Sequence, residues 1–554
     1  MRAGSLPRAG ADGQASAIGW WHREGGEVRR GAGAVHDALL NLRQPLCLVR
    51  DGDRYGVTRG GSVRLGIDGV GPEDLPVVAY AAPLMPQQLG DAGFCADHGV
   101  RYAYMAGAMA NGIASPLLVE TLSRAGLMAA YGAAGKSIGE IEAAIERIGS
   151  RLAGKPYSFN LIHSPAEPAH EARTVELYLQ RGVRTVEASA YLDLTLPVVR
   201  YRVAGIHRDP EGRIVAPNRI IAKASRVEVA RKWLSPPPEK FLAALVENRE
   251  ITPQQAELAA RIPMAQDLTA EADSGGHTDN RPAVTLIPTF LALRNRLQTE
   301  HAYAEPLRIG AAGGIGTPNA AAAAFAMGAA YIATGTVNQA CVESGSSDRV
   351  RRMLAESEQA DVIMAPAADM FEMGVKLQVL KRGTLFPMRA ARLYELYNAH
   401  GSLEEIPAEV RENLERTTFR MSLAEVWART ARFFAERDPA QVQRAETDPR
   451  HKMALVFRWY LGNSSRWANE GEASRQADYQ VWCGPAMGAF NEWARGSFLE
   501  APENRKVVTV ARNLLFGAAV LTRINVIRSQ ATHLDADWVR CAPLQPETLE
   551  GYLN

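Results

Sequence analysis

Between about residues 100 and 345, short apolar runs alternate with helical patterns, and this alternation constrains the fold more than any other feature. A strand followed by a helix is the repeating unit of a parallel α/β sheet. Eight such units predict a closed (β/α)8 TIM barrel. The strand candidates are YAYMAG from residue 102, LMAAYG from 127, YSFNLI from 157, TVEAS from 185, RIIAKA from 219, DLTAEA from 267, LRIGAA from 307 and AYIATG from 330.

The connection between the fifth and sixth strands is longer than the others. Residues 233–264 begin with Pro236, Pro237 and Pro238 and read as a helical insertion, which could cap the barrel mouth. Elsewhere the connections have the length of one helix. In SIGEIEAAIERIGSRL, for example, Ser137 and Glu140 have the spacing of a capping box.

Two further regions flank the barrel, which we place at 86–345. Residues 1–85 read as a small β-containing lobe with a disordered start and a hairpin around residues 51–53. Residues 346–554 are mainly helical in pattern. The sequence therefore predicts an N-terminal lobe, a barrel with a helical insertion, and a helical C-terminal region.

Charge and cysteine content exclude several classes of protein. The 62 Lys and Arg residues nearly balance the 61 Asp and Glu residues, which argues against a nucleic-acid or anionic-membrane binder. Five widely spaced cysteines suggest neither a disulfide framework nor a metal site, and they favour a reducing cytoplasm. The N-terminus has no signal-peptide pattern.

The charge-free run 309–342 is long enough to cross a membrane, but it is mostly alanine and contains glycine, proline and asparagine. We read it as buried α/β packing with two glycine loops at the ends of adjacent strands. Gly313, Gly314 and Gly316 allow close backbone approach, and Thr317 followed by Pro318 can start a helix whose free N–H groups face an anion.

Gly335 and Thr336 supply a second wall for the same site. In TIM barrels a phosphate frequently binds between the loops after strands seven and eight, where these residues fall. Tight turns alone are the alternative explanation for the glycines. The run YGAAGKSIG is not a nucleotide P-loop, because Gly132 lies only three residues before Gly135.

Residues 271–280, EADSGGHTDN, place His277 behind two glycines directly after a strand candidate. Such a histidine can fill a turn or face a reactant. The ten residues alone leave both alternatives open.

Several long motifs in a single order carry a family resemblance. The chain resembles the FMN-dependent enoyl reductase and nitronate monooxygenase superfamily. Over nearly everything after residue 18 it resembles the PfaD-type branch, the freestanding trans-acting enoyl reductases of bacterial polyunsaturated fatty acid and polyketide synthases. The motifs are RYAYMAGAMANGIAS, SFNLIHSP, EADSGGHTDNRP, AAGGIGTPNAAAAAFAMGAAYIATGTVNQ and DYQVWCGPAMGAFNEW.

The resemblance implies FMN as cofactor and roles for strand-end residues in binding it. The alternatives to a binding role are that Met109 belongs to the hydrophobic core, Asn160 caps a turn and Lys223 faces solvent. The implied contacts are Gly107, Ala108 and Met109 at the flavin ring, Asn160 and Lys223 beneath the isoalloxazine, Ser274, Gly275 and Gly276 along the ribityl chain, and Gly313, Gly314, Gly335 and Thr336 at the phosphate.

For His277 the resemblance implies a place at the carboxyl ends of the barrel strands, where substrates bind. It would polarise a thioester carbonyl or assist proton delivery to the α-carbon. An imidazole suits either task because its unperturbed pKa lies near working pH.

The implied reaction is NADPH-dependent reduction of enoyl thioesters carried on acyl carrier protein domains. We expect no nucleic-acid, membrane or metal partner, with homodimerisation left open. A nitronate monooxygenase-like flavin oxidase and a flavin-free docking subunit are the alternatives.

The regions outside the barrel carry no predicted chemistry. His163, Cys483 and the aromatic-rich motifs RWYLGNSSRWANEG and DYQVWCGPAMGAFNEW are predicted to serve packing or a subunit interface. Two basic runs could dock an acidic carrier domain, with solvated helix faces as the alternative. These are Lys376, Lys381, Arg382 and Arg389, and Arg226, Arg231 and Lys232.

Overall fold

The computed structural model describes residues 17–52, 54–66, 71–163, 168–530 and 541–553. Two expectations fall outside these ranges: the disordered start and the middle of the hairpin at Asp53. Elements are numbered below along the described chain.

The strands form an N-terminal sheet, a closed barrel and two small sheets. They are β1 (Gly19–His22), β2 (Glu27–Arg29), β3 (Leu46–Asp51), β4 (Arg54–Arg59), β5 (Ser62–Leu65), β6 (Leu75–Ala81), β7 (Tyr104–Ala106), β8 (Met128–Tyr131), β9 (Ser158–Ile162), β10 (Thr185–Ser189), β11 (His207–Arg208), β12 (Ile214–Val215), β13 (Arg219–Ala224), β14 (Asp267–Glu271), β15 (Gly276–His277), β16 (Arg308–Ala312), β17 (Ile332–Thr334), β18 (Val362–Pro366) and β19 (Lys376–Leu380).

The helices follow the barrel strands and dominate the C-terminal region. They are α1 (Ala32–Leu40), α2 (Ala92–His98), α3 (Pro116–Arg124), α4 (Ile138–Arg151), α5 (Pro168–Gln180), α6 (Leu196–Val203), α7 (Val227–Leu234), α8 (Glu239–Glu247), α9 (Pro253–Ala259), α10 (Ala283–His301), α11 (Pro318–Ala326), α12 (Thr336–Gln339), α13 (Asp348–Ala355), α14 (Phe386–Ala399), α15 (Ala408–Leu414), α16 (Leu423–Arg437), α17 (Pro439–Thr447), α18 (Pro449–Glu470), α19 (Ala486–Ala494), α20 (Val507–Ser529) and α21 (Pro546–Leu553).

The predicted fold class is confirmed. The eight predicted strands are β7, β8, β9, β10, β13, β14, β16 and β17, and they close into a parallel barrel in that order. Gly310 shows how tightly the interior is filled, because an added Cβ would come within 2.3 Å of the Tyr331 ring. The run 309–342 is buried α/β packing, as predicted: it forms β16, α11, β17 and α12.

The N-terminal end of the barrel is closed by α2 and by a buried charge cluster. The Phe94 ring stacks on Tyr331 with centroids 4.2 Å apart. Asp267, the first residue of β14, contacts His98 Nε2 at 2.8 Å and Arg308 Nε at 2.6 Å. Arg308 also reaches Asp97 at 2.7 Å. Every charge of this cluster has an opposite charge beside it.

The N-terminal lobe is a six-stranded antiparallel sheet in the order β2-β4-β3-β6-β1-β5. Its hairpin pairs β3 with β4, so that Asp51 lies opposite Arg54. Trp21, Val49 and Val77 pack between the strands and are fully buried. The prediction of a β-containing lobe is confirmed.

The helical insertion between the fifth and sixth barrel strands is present as α8 and α9, but its predicted place at the barrel mouth is wrong. Both helices pack against α6. Gln255 Nε2 donates to Ile206 O, and Arg202 Nε donates to Pro263 O just before β14 begins. These contacts lie at the N-terminal end of the strands, away from the mouth.

The C-terminal region is mostly helical, as predicted, with one exception. Strands β18 and β19 pair antiparallel, and β19 also pairs with the two-residue strand β15 in the loop that follows β14. The sequence did not reveal this sheet. It joins the C-terminal region to the loop that carries His277.

Helix α20 runs between the barrel and the N-terminal lobe. Gly517 lets it approach α11 closely, because an added Cβ would lie 2.7 Å from Pro318. At the lobe, Arg523 donates to Asn41 O at 2.8 Å. The helix has the length and hydropathy of a membrane span, yet 78% of its most apolar window is buried inside the protein.

Candidate active site

The carboxyl ends of the barrel strands open into a cavity of about 1340 Å³. The thirteen residues that the family resemblance marked as cofactor contacts or catalytic border it, although this placement does not test their individual roles. They are Gly107, Ala108, Met109, Asn160, Lys223, Ser274, Gly275, Gly276, His277, Gly313, Gly314, Gly335 and Thr336.

The loops after β16 and β17 expose backbone to this cavity. Gly314 has φ of 72°, and a Cβ added there or at Gly335 would meet no protein atom within 4 Å. Gly313, with φ of 84°, packs so closely that an added Cβ would lie 2.5 Å from the Ala272 carbonyl carbon. The short helix α12 begins at Thr336 beside them. The space can therefore admit a ligand directly against main-chain N–H groups.

The prediction that the start of α11 faces an anion is wrong. Thr317 is the N-cap and Pro318 the first helical residue, as predicted, but the Thr317 side chain accepts from Ala320 N–H, and neither residue borders the cavity. An added Cβ at Gly316 would lie 2.3 Å from Ala486 O, so the C-terminal region covers this turn.

A group of charged side chains forms the floor of the cavity. Lys223 Nζ lies 2.8 Å from Glu271 Oε1, and Ala108 N–H donates to Glu187 Oε2 at 2.5 Å. Burial raises the pKa of Glu187. Burial would lower the pKa of Lys223, but the charges of Glu271 and Glu187 outweigh it, and this pKa is raised. Lys223 thus carries its positive charge inside the barrel rather than in solvent.

Asn160 is held by neighbouring barrel strands. Its Nδ2 donates to Glu187 O and to Ser189 Oγ, both at 3.1 Å. The side chain is buried, so it is not a turn cap. Met109 belongs to the hydrophobic core and also borders the cavity, so a packing role and contact with a ligand are compatible for this residue.

The loop with the two glycines lies against the C-terminal region. An added Cβ at Gly275 would come within 2.9 Å of the Cys483 carbonyl carbon, so no larger residue fits there. Gly276 has φ of 81°, a conformation that favours glycine. Gln378 Nε2 donates to Ser274 O at 2.8 Å. His277 is therefore presented by a loop with little freedom.

His277 does not fill a turn: it borders the cavity and contacts a carboxylate. Its Nε2 lies 3.1 Å from Oδ1 of Asp369, with a third of the histidine side chain exposed. Burial would lower the pKa of His277, but the hydrogen bond and charge of Asp369 raise it above the ordinary value. The imidazolium form is therefore favoured at higher pH than for a free histidine.

Three buried polar atoms around the cavity have no hydrogen-bond partner among the described residues. They are Ser274 Oγ, Glu187 Oε1 and Trp482 Nε1. Buried polar atoms are rarely left without a partner. Together with the open space at Gly314 and Gly335, they fit a polar organic ligand that lies along the barrel mouth.

The outer wall of the cavity comes from the C-terminal region, whose motifs were predicted to serve packing or a subunit interface. Helix α16 contributes Arg429 and Phe433, and α18 contributes Arg458 and Trp459. The motif around Cys483 contributes Trp482, Gly484 and Ala486. The packing assignment was therefore incomplete.

His163 also borders the cavity rather than serving packing alone. Its Nδ1 lies 3.0 Å from Oε2 of the buried Glu171, and its ring stacks on Tyr191 with centroids 5.2 Å apart. Residues 164–167 of the same motif lie outside the described residues.

Much of the charge of the two basic runs is neutralised within the chain. Arg382 pairs with Asp361 at 3.2 Å, and Arg389 pairs with the buried Asp478. Arg226 contacts Asp279 at 2.9 Å. Lys232 contacts Asp193 at the same distance. Carrier docking through these runs stays a prediction.

Glu187 and Asp369 are the site residues that sequence reasoning missed. Glu187 had a signal, because a charged residue in the apolar run TVEAS must face either solvent or the barrel interior. Asp369 had no local signal in the sequence, because it contacts His277 only through the connection between β18 and β19, 92 residues away along the chain.

Comparisons with known proteins agree with this geometry. Residues 400–479 match the family model of the inserted helical domain of [acyl-carrier-protein] S-malonyltransferase. The crystal structure of the enoyl reductase domain of MlnA, from the macrolactin biosynthesis cluster of Bacillus amyloliquefaciens, is 39% identical with a TM-score of 0.75. The match covers 80% of this chain and 99% of that domain.

Two curated relatives are longer proteins. A polyunsaturated fatty acid synthase subunit of Thraustochytrium sp. is 49% identical over 498 residues, which are 89% of this chain and 33% of the relative. Polyketide biosynthesis protein PksE of Bacillus subtilis is 45% identical over 441 residues, 79% of this chain and 57% of the relative. The chain thus spans a third to somewhat over half of these relatives.

Proposed function

The chain belongs to the family of the enoyl reductase domain of MlnA, and from this membership we propose that it reduces the α,β double bond of enoyl thioesters. The observation that carries the proposal is the cavity at the barrel mouth. It brings His277, the Lys223 cluster and the exposed glycine loops together. That is the combination an oxidoreductase of this kind needs: a binding site for a redox cofactor next to a proton donor.

The proposed cofactor is FMN. The glycine loops at Gly314 and Gly335 would hold its phosphate against main-chain N–H groups, and Ser274 Oγ would gain a partner along its polar chain. Lys223 and Asn160 would border its ring system. When bound, the flavin supplies hydride chemistry that no side chain can supply, with NADPH as the proposed reductant.

The residues of this chain supply charge and proton control. His277, whose protonated form Asp369 favours, would donate to the thioester carbonyl or deliver a proton to the α-carbon. Lys223 would stabilise negative charge near the barrel floor, because Glu187 and Glu271 keep it protonated. The walls from α16 and α18 would limit water at the site.

The proposed substrate is carried on an acyl carrier protein domain of a polyketide or polyunsaturated fatty acid synthase, and the chain would act in trans as a PfaD-type enzyme. Two observations support this. The relatives in the comparisons are named as parts of such pathways. Residues 400–479, which form much of the outer wall, match a domain model of an enzyme that acts on acyl carrier protein.

The test begins with the visible spectrum of the purified protein. Bands of oxidised flavin, with FMN released on denaturation, are expected. Their absence after reconstitution with FMN would favour the flavin-free docking role. NADPH should then bleach the bands under anaerobic conditions, and an enoyl thioester should restore them with formation of the saturated product. Oxygen consumption that requires a nitroalkane, with no enoyl turnover, would identify the nitronate oxidase instead.

A further inference from the structure

We propose that Asp369, which lies outside the barrel, is a positioning residue for His277 and makes Nδ1 the ring nitrogen that meets the substrate. The inference rests on the proposed function, which already gives His277 a task. It adds which atom performs the task and which part of the chain controls it.

Asp369 fixes the tautomer of His277. Nε2 of His277 lies 3.1 Å from Asp369 Oδ1. A carboxylate only accepts hydrogen bonds, so Nε2 must carry a hydrogen in both the neutral and the protonated ring. Nδ1 has no hydrogen-bond partner among the residues that the structure describes, and His277 borders the cavity. Nδ1 is therefore the nitrogen that can gain or lose a proton toward a ligand.

One small sheet holds His277 and Asp369 beside each other. His277 lies on β15, which pairs with β19 through His277 and Leu377. Asp369 lies in the turn that joins β18 to β19. One small sheet thus places both partners. The carboxylate is fixed further, since Oδ1 also accepts from Met370 N–H at 3.1 Å.

The charged side chains around His277 and Asp369 influence the ionisation of both residues. His277 faces Asp369 and Glu271, which favour its protonated form, and Lys223, which opposes it. Asp369 faces His277 and, from α18, Arg458, both of which favour its ionised form. The arrangement favours a carboxylate beside an imidazolium. The loop after β14 supplies the histidine, and the C-terminal region supplies the acid.

The proton transfer then balances simply. As hydride adds to the β-carbon, the α,β π bond breaks, and its electron pair forms the new C–H bond at the α-carbon with the proton from Nδ1. The electron pair of the broken Nδ1–H bond stays on the nitrogen, and solvent later returns a proton to it. The hydride at the β-carbon, with both electrons of the reduction, originates in the reduced nicotinamide. The Nε2–H to Asp369 hydrogen bond persists throughout.

The chain offers a matched control pair. His451 Nδ1 lies 2.9 Å from Glu372 Oε1, three residues beyond Asp369, and neither residue borders the cavity. Glu372→Gln thus removes a carboxylate from another histidine of the same region. Any general weakening of the C-terminal region should appear in both variants.

The experiment compares Asp369→Asn with Glu372→Gln by NMR titration of ¹⁵N-labelled histidines, with the His277 signal assigned from His277→Asn. Asp369→Asn should lower the pKa of His277, and Glu372→Gln should leave it unchanged. Because this readout needs no turnover, it separates failure of the inference from failure of the proposed function. An unchanged pKa of His277 in Asp369→Asn would overturn the proposal.

Turnover adds a second readout. Asp369→Asn should lower kcat for enoyl thioester by about 10–100-fold, less than loss of the histidine, with KM and reduction by NADPH little changed. Asp369→Glu, which keeps the charge, should restore much of the rate. Equal losses of kcat in Asp369→Asn and Glu372→Gln would mark Asp369 as merely structural. Asp369→Ser provides the same test if the asparagine variant does not fold.

Discussion

The two ends of the barrel each hold a histidine–aspartate pair, and the pairs differ in almost everything but composition. At the closed end, His98 and Asp267 lie 2.8 Å apart with side chains 0% and 4% exposed. At the open end, His277 and Asp369 lie 3.1 Å apart with side chains 33% and 39% exposed. The first pair is buried where α2 ends at His98, and the second borders a large cavity.

The difference shows how one fold uses buried charge for two purposes. At the closed end, both oxygens of Asp267 are paired with Arg308 and His98, although His98 Nδ1 is buried without a partner in the described chain. At the open end, Glu187 Oε1 and Ser274 Oγ have no partner in the described chain. A fully paired carboxylate such as Asp267 stabilises a fold, whereas an unpaired carboxylate oxygen beside a large cavity at the carboxyl ends of barrel strands indicates a binding site.

Removal of the open-end histidine should have the largest effect. In His277→Ala we expect flavin binding and reduction by NADPH to persist, while reoxidation by enoyl thioester slows by roughly 10²–10⁴-fold, the usual contribution of a positioned acid or base. Stopped-flow measurement of the two half-reactions checks this. If both half-reactions slow equally, His277 is structural and the contrast between the two ends is lost.

Removal of the closed-end arginine should instead affect stability. Arg308→Met removes the guanidinium that pairs with the buried Asp267, which should cost about 3–5 kcal/mol of unfolding free energy. Asp97 is partly exposed and keeps Arg219 as a partner. Urea unfolding measures the loss. The control is Arg213→Met, because Arg213 pairs with Asp209 in an exposed position and should contribute under about 1 kcal/mol. A similar loss in both variants would contradict the expectation.

Asp267 at the closed end should also make the free energy of unfolding depend on pH in the acid range. Burial would raise the pKa of Asp267, but His98 and Arg308 hold it at about 2. A folded-state pKa below the unfolded one stabilises the protein above about pH 4, and the benefit is lost as pH falls toward 2. This contribution to the free energy of unfolding is about 2–3 kcal/mol. Acid unfolding of Asp267→Asn should lack this component; an unchanged pH profile would refute it.

Substitution in the glycine loop at the open end should have the smallest effect of the four changes. Gly314→Val should place a side chain where the ligand must approach the backbone, and flavin affinity should fall at least about tenfold in a folded protein. Gly182→Val is the control, because Gly182 has a similar φ and equally open surroundings but lies outside the cavity. Full flavin occupancy in Gly314→Val would remove this loop from the site.

The barrel could be predicted because its information is local. Each strand candidate is a short apolar run, and parallel strands joined by single helices leave little choice of topology. Residues at strand ends must also meet at one face of a barrel. Lys223 and His277 were assigned to that face through the family resemblance, whereas Glu187 of the floor was missed.

What could not be predicted depends on contacts between distant parts of the chain. Asp369 meets His277 across 92 positions. Thr317 has the sequence of an exposed helix start, but Gly316 beside it is covered by Ala486. No local pattern encodes these contacts. The insertion was placed at the wrong end because length and proline content reveal a helix but not the barrel face against which it packs.

Helix α20 has a consequence for how the chain acquires its structure. It is synthesised long after the N-terminal lobe, yet it contacts that lobe: Gln530 exchanges two hydrogen bonds with the backbone of Tyr80, and Arg523 binds the carbonyls of residues 41 and 44. During translation the N-terminal lobe must therefore wait for more than 400 residues before its permanent neighbour emerges from the ribosome. Until then the apolar surface that α20 covers on α11 is open to chaperones and to neighbouring chains.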